Sequence, residues 1–595
     1  MADDSSSLPR PTGRPQMRSR ALDPEVPVRI VFLGGLGEIG RNCMAIEHGA
    51  AADPERTIVL VDCGLMFPEN DMHGIDLILP DFTYLREHAE RLAGIVLTHG
   101  HEDHIGAIQY LMRDGAGIGD LRSEPLPVWG SALALGIARN RIEEAGLMPR
   151  IDMRAVGDGE QITIGSGRGE LLAEFIPVTH SVPHSHSVAL HTAQGVVLHS
   201  GDFKIDLTPV DERRSDLARV GQLSKSAGVR LLLSDSTNAE EPGFAPSETN
   251  VGGVLRRLFA EHRDRRIITA SFASHLHRIQ QIAEAAIEDG RKVATLGLSM
   301  RKNVRLGLDL GVLNLPESSI IDIEDIDRYE PNEICVISTG SQGEPMSALG
   351  LMARGENKFI KLGEHDTIVL SSHAIPGNEG AVNKVIDGLL RLGAEVVHSG
   401  VMDVHATGHA QADDIKTYLS IVNPDWFVPI HGEYRHMVAN ARLAELMGVR
   451  RDQVLQCEDG DVIELDDDGL RPVGRVPAGY LYVDGIIGDV GAGVIRDRQK
   501  LAEEGVVVVV ASVDLQNGTV LTGPDIITRG WVYAPEADDL LDEACDTVEA
   551  ALEAALADGV KDVDRLEREM RRATGKFVSE RTRRRPQIVP ALMEV

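Results

Sequence analysis

An α/β fold that carries its chemistry at strand ends is the class this sequence predicts, and three observations predict it. From Val28 onward, short apolar runs alternate with stretches of helical periodicity. Many of those runs stop at a histidine, an aspartate or a Gly/Ser turn. The densest stop, His99-Gly100-His101-Glu102-Asp103-His104, crowds three imidazoles around Asp103 within six residues.

Taken in order, residues 1–26 are rich in Ser, Pro and Arg and poor in apolar side chains, so they read as a disordered tail with Arg10, Arg14, Arg18 and Arg20 as its charges. Gly94-Ile95-Val96-Leu97-Thr98 reads as a buried strand, which puts the histidine cluster on the loop at its end. Phe175-Ile176-Pro177-Val178 leads to His180. Val196-Val197-Leu198 leads through His199-Ser200-Gly201 to Asp202, and Phe427-Val428-Pro429-Ile430 leads to His431. Neutral imidazole nitrogens and carboxylate oxygens suit zinc and similar borderline ions. A merely polar, His-rich loop would not repeat such groups after three further strands. Alternate residues of an extended loop face opposite sides, so the set divides in two. His99, His101, His180 and Asp202 would hold one ion. Asp103, His104, Asp202 and His431 would hold the other, with Asp202 giving one oxygen to each. Two ions about 3.5–4 Å apart can clamp the attacking and leaving oxygens of a phosphodiester displacement and make hydroxide available near neutral pH.

HxHxDH, then a lone His, a bridging Asp and a late His, resembles the metallo-β-lactamase superfamily. Asp62, in Val61-Asp62-Cys63-Gly64, falls at that superfamily's first motif, and the resemblance implies that it orients a ligand histidine. The resemblance also selects His180 as ligand over His184 and His186. His431 lies more than two hundred residues beyond Asp202, a gap that resembles the β-CASP insertion of nucleases. Leu231-Leu232-Leu233-Ser234-Asp235-Ser236-Thr237-Asn238 matches its motif A, with Asp235 as the acid. Thr407-Gly408-His409 matches motif B, and Pro429-Ile430-His431-Gly432-Glu433-Tyr434 matches motif C, where a His accompanies RNA substrates and a Val accompanies DNA. Gly34 to Asn42, Gly340 to Pro345 and Ser371 to Glu379 resemble the ribonuclease J family of bacteria, and the likeness runs from about Val28 to the C-terminus. It implies an αββα sandwich at 27–235 and 406–472, a β-CASP α/β insertion at 236–405, a linker at 473–484 and a small C-terminal α/β domain at 485–595. Periodicity alone does not separate that architecture from other α/β folds. His409, an extra histidine beside the ligand set, would stabilise the charged phosphorane or protonate the leaving 3′-oxygen, with Asp235 orienting it.

Composition bounds the rest. A chain of 595 residues holds roughly three to four domains at about 150 each. The absence of an eighteen-residue apolar run predicts no membrane span, and the N-terminus lacks the apolar core of a secretory signal. Five cysteines, dispersed and without a CxxC pair, predict small buried groups in a reducing cytoplasm. The net charge of −32 opposes phosphate binding. Arg256, Arg257, Arg263, Arg265, Arg266, Arg278, Arg301, Lys302 and Arg305 cluster in the insertion, which predicts a confined basic channel inside an acidic exterior.

The C-terminal stretch reads as its own unit. Val506 to Ala511 is an apolar strand, and Asn517-Gly518 is a hairpin turn. Leu541, Cys545, Val548, Leu552 and Leu556, then Leu566, Met570, Ala573 and Phe577, recur at helical spacing. By resemblance this unit makes a homodimer or homotetramer, and its basic end near Arg581 to Arg585 either touches RNA or caps a helix.

A nuclease that starts at a 5′ end needs a pocket for the terminal phosphate, and backbone N–H groups in Gly/Ser turns provide one. The turns holding Ser341 and holding Ser371, Ser372 and Asn378 each follow an apolar strand. His275 and Arg278 sit where they could line an RNA path, and Phe67, after the Asp62 loop, could stack on a base. The whole predicts a cytoplasmic ribonuclease with 5′→3′ exonuclease and endonuclease activity in mRNA decay and rRNA maturation. It would work by metal-hydroxide attack with two divalent ions, Zn²⁺ or Mn²⁺, on single-stranded RNA that preferably carries a 5′-monophosphate. The rivals are a small-molecule hydrolase of thioesters or lactams, which would not need the insertion, and a non-catalytic RNA-binding scaffold, which would not need intact ligands.

Overall fold

Runs of aliphatic residues decide where the chain extends, and their burial decides how the sheets stack. The computed structural model describes residues 26–49, 56–69, 71–375, 377–485, 490–532 and 537–595. The expected disordered tail therefore lies outside the described residues, except for Val26, which is buried and accepts a hydrogen bond from Gln194 Nε2. The chain divides into two units, Met1–Phe67 with Ile78–Tyr480 and Pro68–Leu77 with Leu481–Val595.

In the first unit one sheet runs, among the described residues, in the order Leu470–Arg475, Asp461–Leu465, Val28–Gly34, Cys43–His48, Thr57–Val61, Leu92–Val96, Leu126–Gly130 and Ile151–Ala155. The second runs Trp426–Ile430, Val229–Asp235, Gly195–His199, His186–Thr192, Leu171–Pro177 and Gln161–Ile164. Their inner faces share one core, in which Ile30, Phe32, Ile46 and Val61 of one sheet meet Phe175, Val197, Leu231 and Val428 of the other. The outer face of the second sheet is also covered. Ile176, Leu198, Leu232 and Phe427 pack against Val220, Leu223, Ile415 and Leu419 of the helices Leu217–Ser226 and Ala412–Val422. Burial on both faces is why Leu231-Leu232-Leu233 is an unbroken apolar run. The result is an αββα sandwich.

In the stretch between Asp235 and Trp426, a third sheet has its strands all parallel: Ile320–Ile321, Lys292–Leu296, Ile334–Ser338, Arg266–Ala270, Asp366–Leu370 and Glu395–His398. Parallel pairing requires crossovers, and the helices Leu276–Glu288 and Glu379–Arg391 are among those in this stretch. The segment expected to be a plain linker is not one. It contains the end of the strand Leu470–Arg475 and the strand Tyr480–Val483.

In the second unit Val506–Asp514 is the central strand, antiparallel to Thr519–Arg529 and parallel to Gln587–Glu594. Its burial alternates, with Val507, Val509, Ala511 and Val513 facing Val548, Leu552, Leu566 and Met570 of the helices Asp538–Ala557 and Val563–Thr582. No helix among the described residues is long and apolar enough to cross a membrane.

Candidate metal centre

Strands of both sheets deliver the site. The strand Leu92–Val96 hands over to Thr98 and His99, and a short helix, Glu102–Ile105, carries Asp103 and His104. His180 follows Leu171–Pro177, Asp202 follows Gly195–His199, and His431 follows Trp426–Ile430. Two glycines let the loops close. A Cβ on Gly64 would lie 1.6 Å from the Asp103 carbonyl oxygen, and one on Gly408 would lie 2.8 Å from the His180 ring. Asp62 and His431 take left-handed backbone conformations, with φ of 59° and 51°. Such conformations cost about 1–3 kcal/mol and cluster at functional sites.

The donor atoms converge as two overlapping sets, His99, His101, His180 and Asp202, and Asp103, His104, Asp202 and His431, with a third group, Asp202, Asp235, His409 and His431, overlapping the second. In the first, His101 Nδ1 lies 3.1 Å from His99 Nε2 and 3.2 Å from His180 Nε2, and Asp202 Oδ2 is 3.5 and 3.8 Å from those two nitrogens. In the second, His104 Nε2 is 3.2 Å from Asp202 Oδ2 and 3.5 Å from Asp103 Oδ2, while His431 Nε2 is 3.6 and 3.4 Å from the same oxygens. A tetrahedron with 2.0–2.1 Å bonds has edges of about 3.3 Å, so the spacing and the donor types fit divalent cations of the zinc class. Oδ2 of Asp202 lies within 3.8 Å of imidazole nitrogens of both sets.

The electrostatics agree with that fit. Burial and neighbouring imidazoles hold His99 and His180 well below the usual histidine range, and burial brings His101 down to about 4, so all three are neutral donors. At the other set the carboxylates prevail over burial. Asp202, Asp103 and Asp235 push His431 up to about 10, and Asp202, Asp103 and Asp62 raise His104 well above its ordinary value. This is a buried negative field of the kind a cation meets.

Hydrogen bonds behind the donors fix the tautomers. His104 Nδ1 donates to Asp62 Oδ2 at 2.8 Å, and His180 Nδ1 donates to the Gly408 carbonyl at 2.8 Å, leaving both Nε2 lone pairs for the site. Asp62 also accepts from Thr98 N and Thr98 Oγ1, both at 2.8 Å, and Thr98 Oγ1 is 3.0 Å from His99 Nδ1. On the opposite sheet Asp235 repeats the plan. Its Oδ1 accepts from Thr237 Oγ1 at 2.8 Å, Thr237 Oγ1 accepts from His431 Nδ1 at 2.7 Å, and Asp235 Oδ2 accepts from His409 Nδ1 at 2.9 Å. Against burial, Asp235 raises His409, while His409 in turn holds Asp235 well below the carboxylate range. Sequence reasoning gave Thr98 and Thr237 no role. Their only signal was position, one immediately before His99 and the other two residues after Asp235. Asn42 was also missed as a contact, although its Nδ2 lies 3.1 Å from both the Asp103 carbonyl and His104 Nε2.

The outer candidates fare differently. Phe67 is 56% exposed and open to stacking. The Ser341 and Ser372 turns are adjacent. Gln342 ties them by donating to the His373 carbonyl at 2.8 Å and accepting from Ile375 N at 2.7 Å, and Asn378 opens the helix Glu379–Arg391. Ser371 is buried with its hydroxyl committed, donating to the Val404 carbonyl and accepting from Arg278 Nη1, both at 2.6 Å. Arg278 does not line an open RNA path either. It is fully buried and clasps Glu248 at 2.6 and 2.9 Å. His275, equally buried, lies 3.4 Å from the same carboxylate. The expected basic channel is corrected as well. Arg256 pairs with Glu288, Arg257 with Glu261, Arg263 with Asp289, Arg265 with Glu395 and Arg266 with Asp366. Arg301 pairs with Glu324, Lys302 with Glu144 and Arg305 with Asp309. Sequence clustering counted the cations but could not see the acids folded against them.

Comparison with known proteins places these features. Residues 36–234 match the metallo-beta-lactamase superfamily, 264–389 the ribonuclease J beta-CASP domain, 394–452 the Zn-dependent metallo-hydrolase RNA specificity domain and 493–595 the ribonuclease J C-terminal domain. The chain is 38% identical to ribonuclease J 1 of Streptococcus pyogenes over 95% of this chain and 97% of that one. It is 40% identical to ribonuclease J of Mycobacterium tuberculosis over 96% and 97%, and 37% identical to ribonuclease J2 of Bacillus subtilis over 96% and 99%. A crystal structure of a protein of unknown function from Enterococcus faecalis shares the fold, with a TM-score of 0.52 at 15% identity over 74% of this chain and all of that one.

Proposed function

This chain belongs to the ribonuclease J family, and from that premise we propose that this metal-dependent ribonuclease degrades RNA 5′→3′ and also cuts internally, in cytoplasmic mRNA decay and rRNA maturation. The observation that carries the reading is the pair of donor sets sharing Asp202 Oδ2, with His409 held beside them by Asp235. The sets suit two ions, zinc or manganese, with His99, His101 and His180 on one and Asp103, His104 and His431 on the other. When bound, such ions activate water near neutral pH and neutralise charge on the phosphate.

The chain's own groups do the rest. The hydrogen bond from His409 Nδ1 to Asp235 turns Nε2 outward and favours the protonated ring, which suits delivery of a proton to the leaving 3′-oxygen. The products would be a 5′-phosphate and a 3′-hydroxyl, and no 2′-hydroxyl participates. Asp62 and Thr98 hold His104 and His99 at fixed ring angles, as Thr237 holds His431. For the 5′ end, the tied turns at Ser341 and Ser372, with Asn378 at a helix start, offer backbone donors to one phosphate. Arg278, already paired, adds no charge for a triphosphate, so monophosphate ends should be preferred.

End-labelled RNAs with 5′-hydroxyl, monophosphate and triphosphate termini, run beside thioester and lactam substrates, test this directly. Equal exonucleolytic rates on triphosphate and monophosphate ends would remove the pocket, and turnover of a thioester without RNA cleavage would remove the reading. The C-terminal domain should hold a homodimer or homotetramer together. Truncation near residue 484 should leave a monomer by light scattering, and an unchanged mass would place the interface elsewhere.

A further inference from the structure

We propose that the C-terminal unit carries a second RNA-binding element, a groove for the phosphodiester backbone between the helices Gly491–Glu504 and Val563–Thr582 and the segment entering the strand Gln587–Glu594. The concavity has a volume of about 460 Å³, and Lys500, Arg571, Lys576 and Arg585 line it. All four of these side chains are exposed. Among the described residues none of them has a carboxylate within ion-pairing distance. Some neighbouring cations, by contrast, are paired. On the same helix Arg572 pairs with Glu569 and Arg581 with Glu543, each at 2.6 Å, and every cation of the insertion cluster is likewise paired. Glu504, an acid at this edge, accepts from the Arg585 backbone N–H at 3.1 Å and lies 3.9 Å from Arg584.

Unpaired like charges lining one concavity repel one another. In a chain of net charge −32, four such cations converge on one concavity. Four cations from three separate segments suit a string of negative charges better than a single small anion. The floor is apolar, with Val578 buried and Ile588 half-buried, and Ser579 adds a hydroxyl at the wall. An apolar floor beneath a cationic rim suits sugars and bases below and phosphates above. A polyanion with regularly spaced phosphates is the ligand this chemistry fits, and in a ribonuclease that polyanion is RNA. The proposal therefore rests on the ribonuclease reading. An acidic protein surface, including that of a second copy, is the competing occupant.

The test is binding of a labelled single-stranded RNA to the full-length protein in EDTA, followed by anisotropy over a salt series. Each phosphate contact on a single strand adds about 0.7 to the slope of log affinity against log salt. Arg571→Gln/Lys576→Gln should lower that slope by about 1.4 and weaken binding by roughly tenfold at moderate salt. Arg256→Gln/Arg305→Gln, which removes paired cations, should change neither. If the groove variant binds with the wild-type slope, the groove is not an RNA site, while wild-type binding leaves the ribonuclease reading standing. If the wild type binds no RNA, that reading falls and takes the proposal with it. If the groove variant keeps its RNA affinity but loses mass in light scattering, the occupant is an acidic protein surface and the proposal is overturned.

Discussion

Asp62 and Asp235 sit at corresponding places in the two sheets of the sandwich, one just past the end of Thr57–Val61 and the other closing Val229–Asp235. Each is buried, each binds one histidine directly, and each reaches a second histidine through a threonine hydroxyl. The difference is where the arms end. Both histidines of the Asp62 arm, His99 and His104, belong to the donor sets. Of the Asp235 arm, His431 belongs to one of these two sets, while His409 falls with Asp202, Asp235 and His431 in a third, overlapping group. His409 stands at the edge, with its side chain 20% exposed. The same scaffold thus holds two imidazoles of the donor sets in one sheet, while in the other it leaves one imidazole partly open.

The largest effect should come from the residue common to both donor sets. Asp202→Asn leaves one neutral oxygen where a carboxylate oxygen faces both donor sets, so metal content measured by elemental analysis should fall at both sites and activity should be lost. A full complement of metal in that variant would break the bridging role.

His409→Ala should cost about 10²–10⁴ in kcat while metal content stays near wild type, the range for general acid–base contributions. Loss of metal, or normal cleavage, would erase the distinction between the two arms.

The aspartates themselves should separate next. Asp62→Asn should lower metal affinity by about 10–100-fold, as outer partners of ligand histidines do. Asp235→Asn should lower kcat by more than it lowers metal affinity, since half its work is on His409. Titration with a chelator alongside single-turnover kinetics reads the two apart, and identical profiles would mean the arms are equivalent.

The smallest effects belong to the threonines. Thr98→Val and Thr237→Val each remove one relay hydrogen bond, worth about 0.5–1.5 kcal/mol net. Each should weaken metal retention severalfold, with serine at either position restoring it. Failure of serine to rescue would assign the threonines to packing alone.

The sequence by itself determined which side chains gather into the donor sets. His, Asp and Gly/Ser stops after apolar runs are local facts, because a strand's period and its buried length are written in consecutive residues. The C-terminal hairpin at Asn517-Gly518 and its two helices were legible for the same reason. Only the tertiary structure decided what joins whom. The resemblance already set Asp235 beside His409, but Thr237 and His431 are 194 positions apart, and nothing in the sequence paired them. Which Asp202 oxygen faces both donor sets depends on a side-chain rotation that closure of two sheets imposes. Charge showed the limit most plainly. Arg278 and its neighbours look like a basic path in sequence, but a cation's availability depends on the acid folded against it, and Glu248, Glu288 and Asp366 arrive from other elements. Lys500, Arg571, Lys576 and Arg585 look no different in sequence, and the fold leaves them without such acids among the described residues.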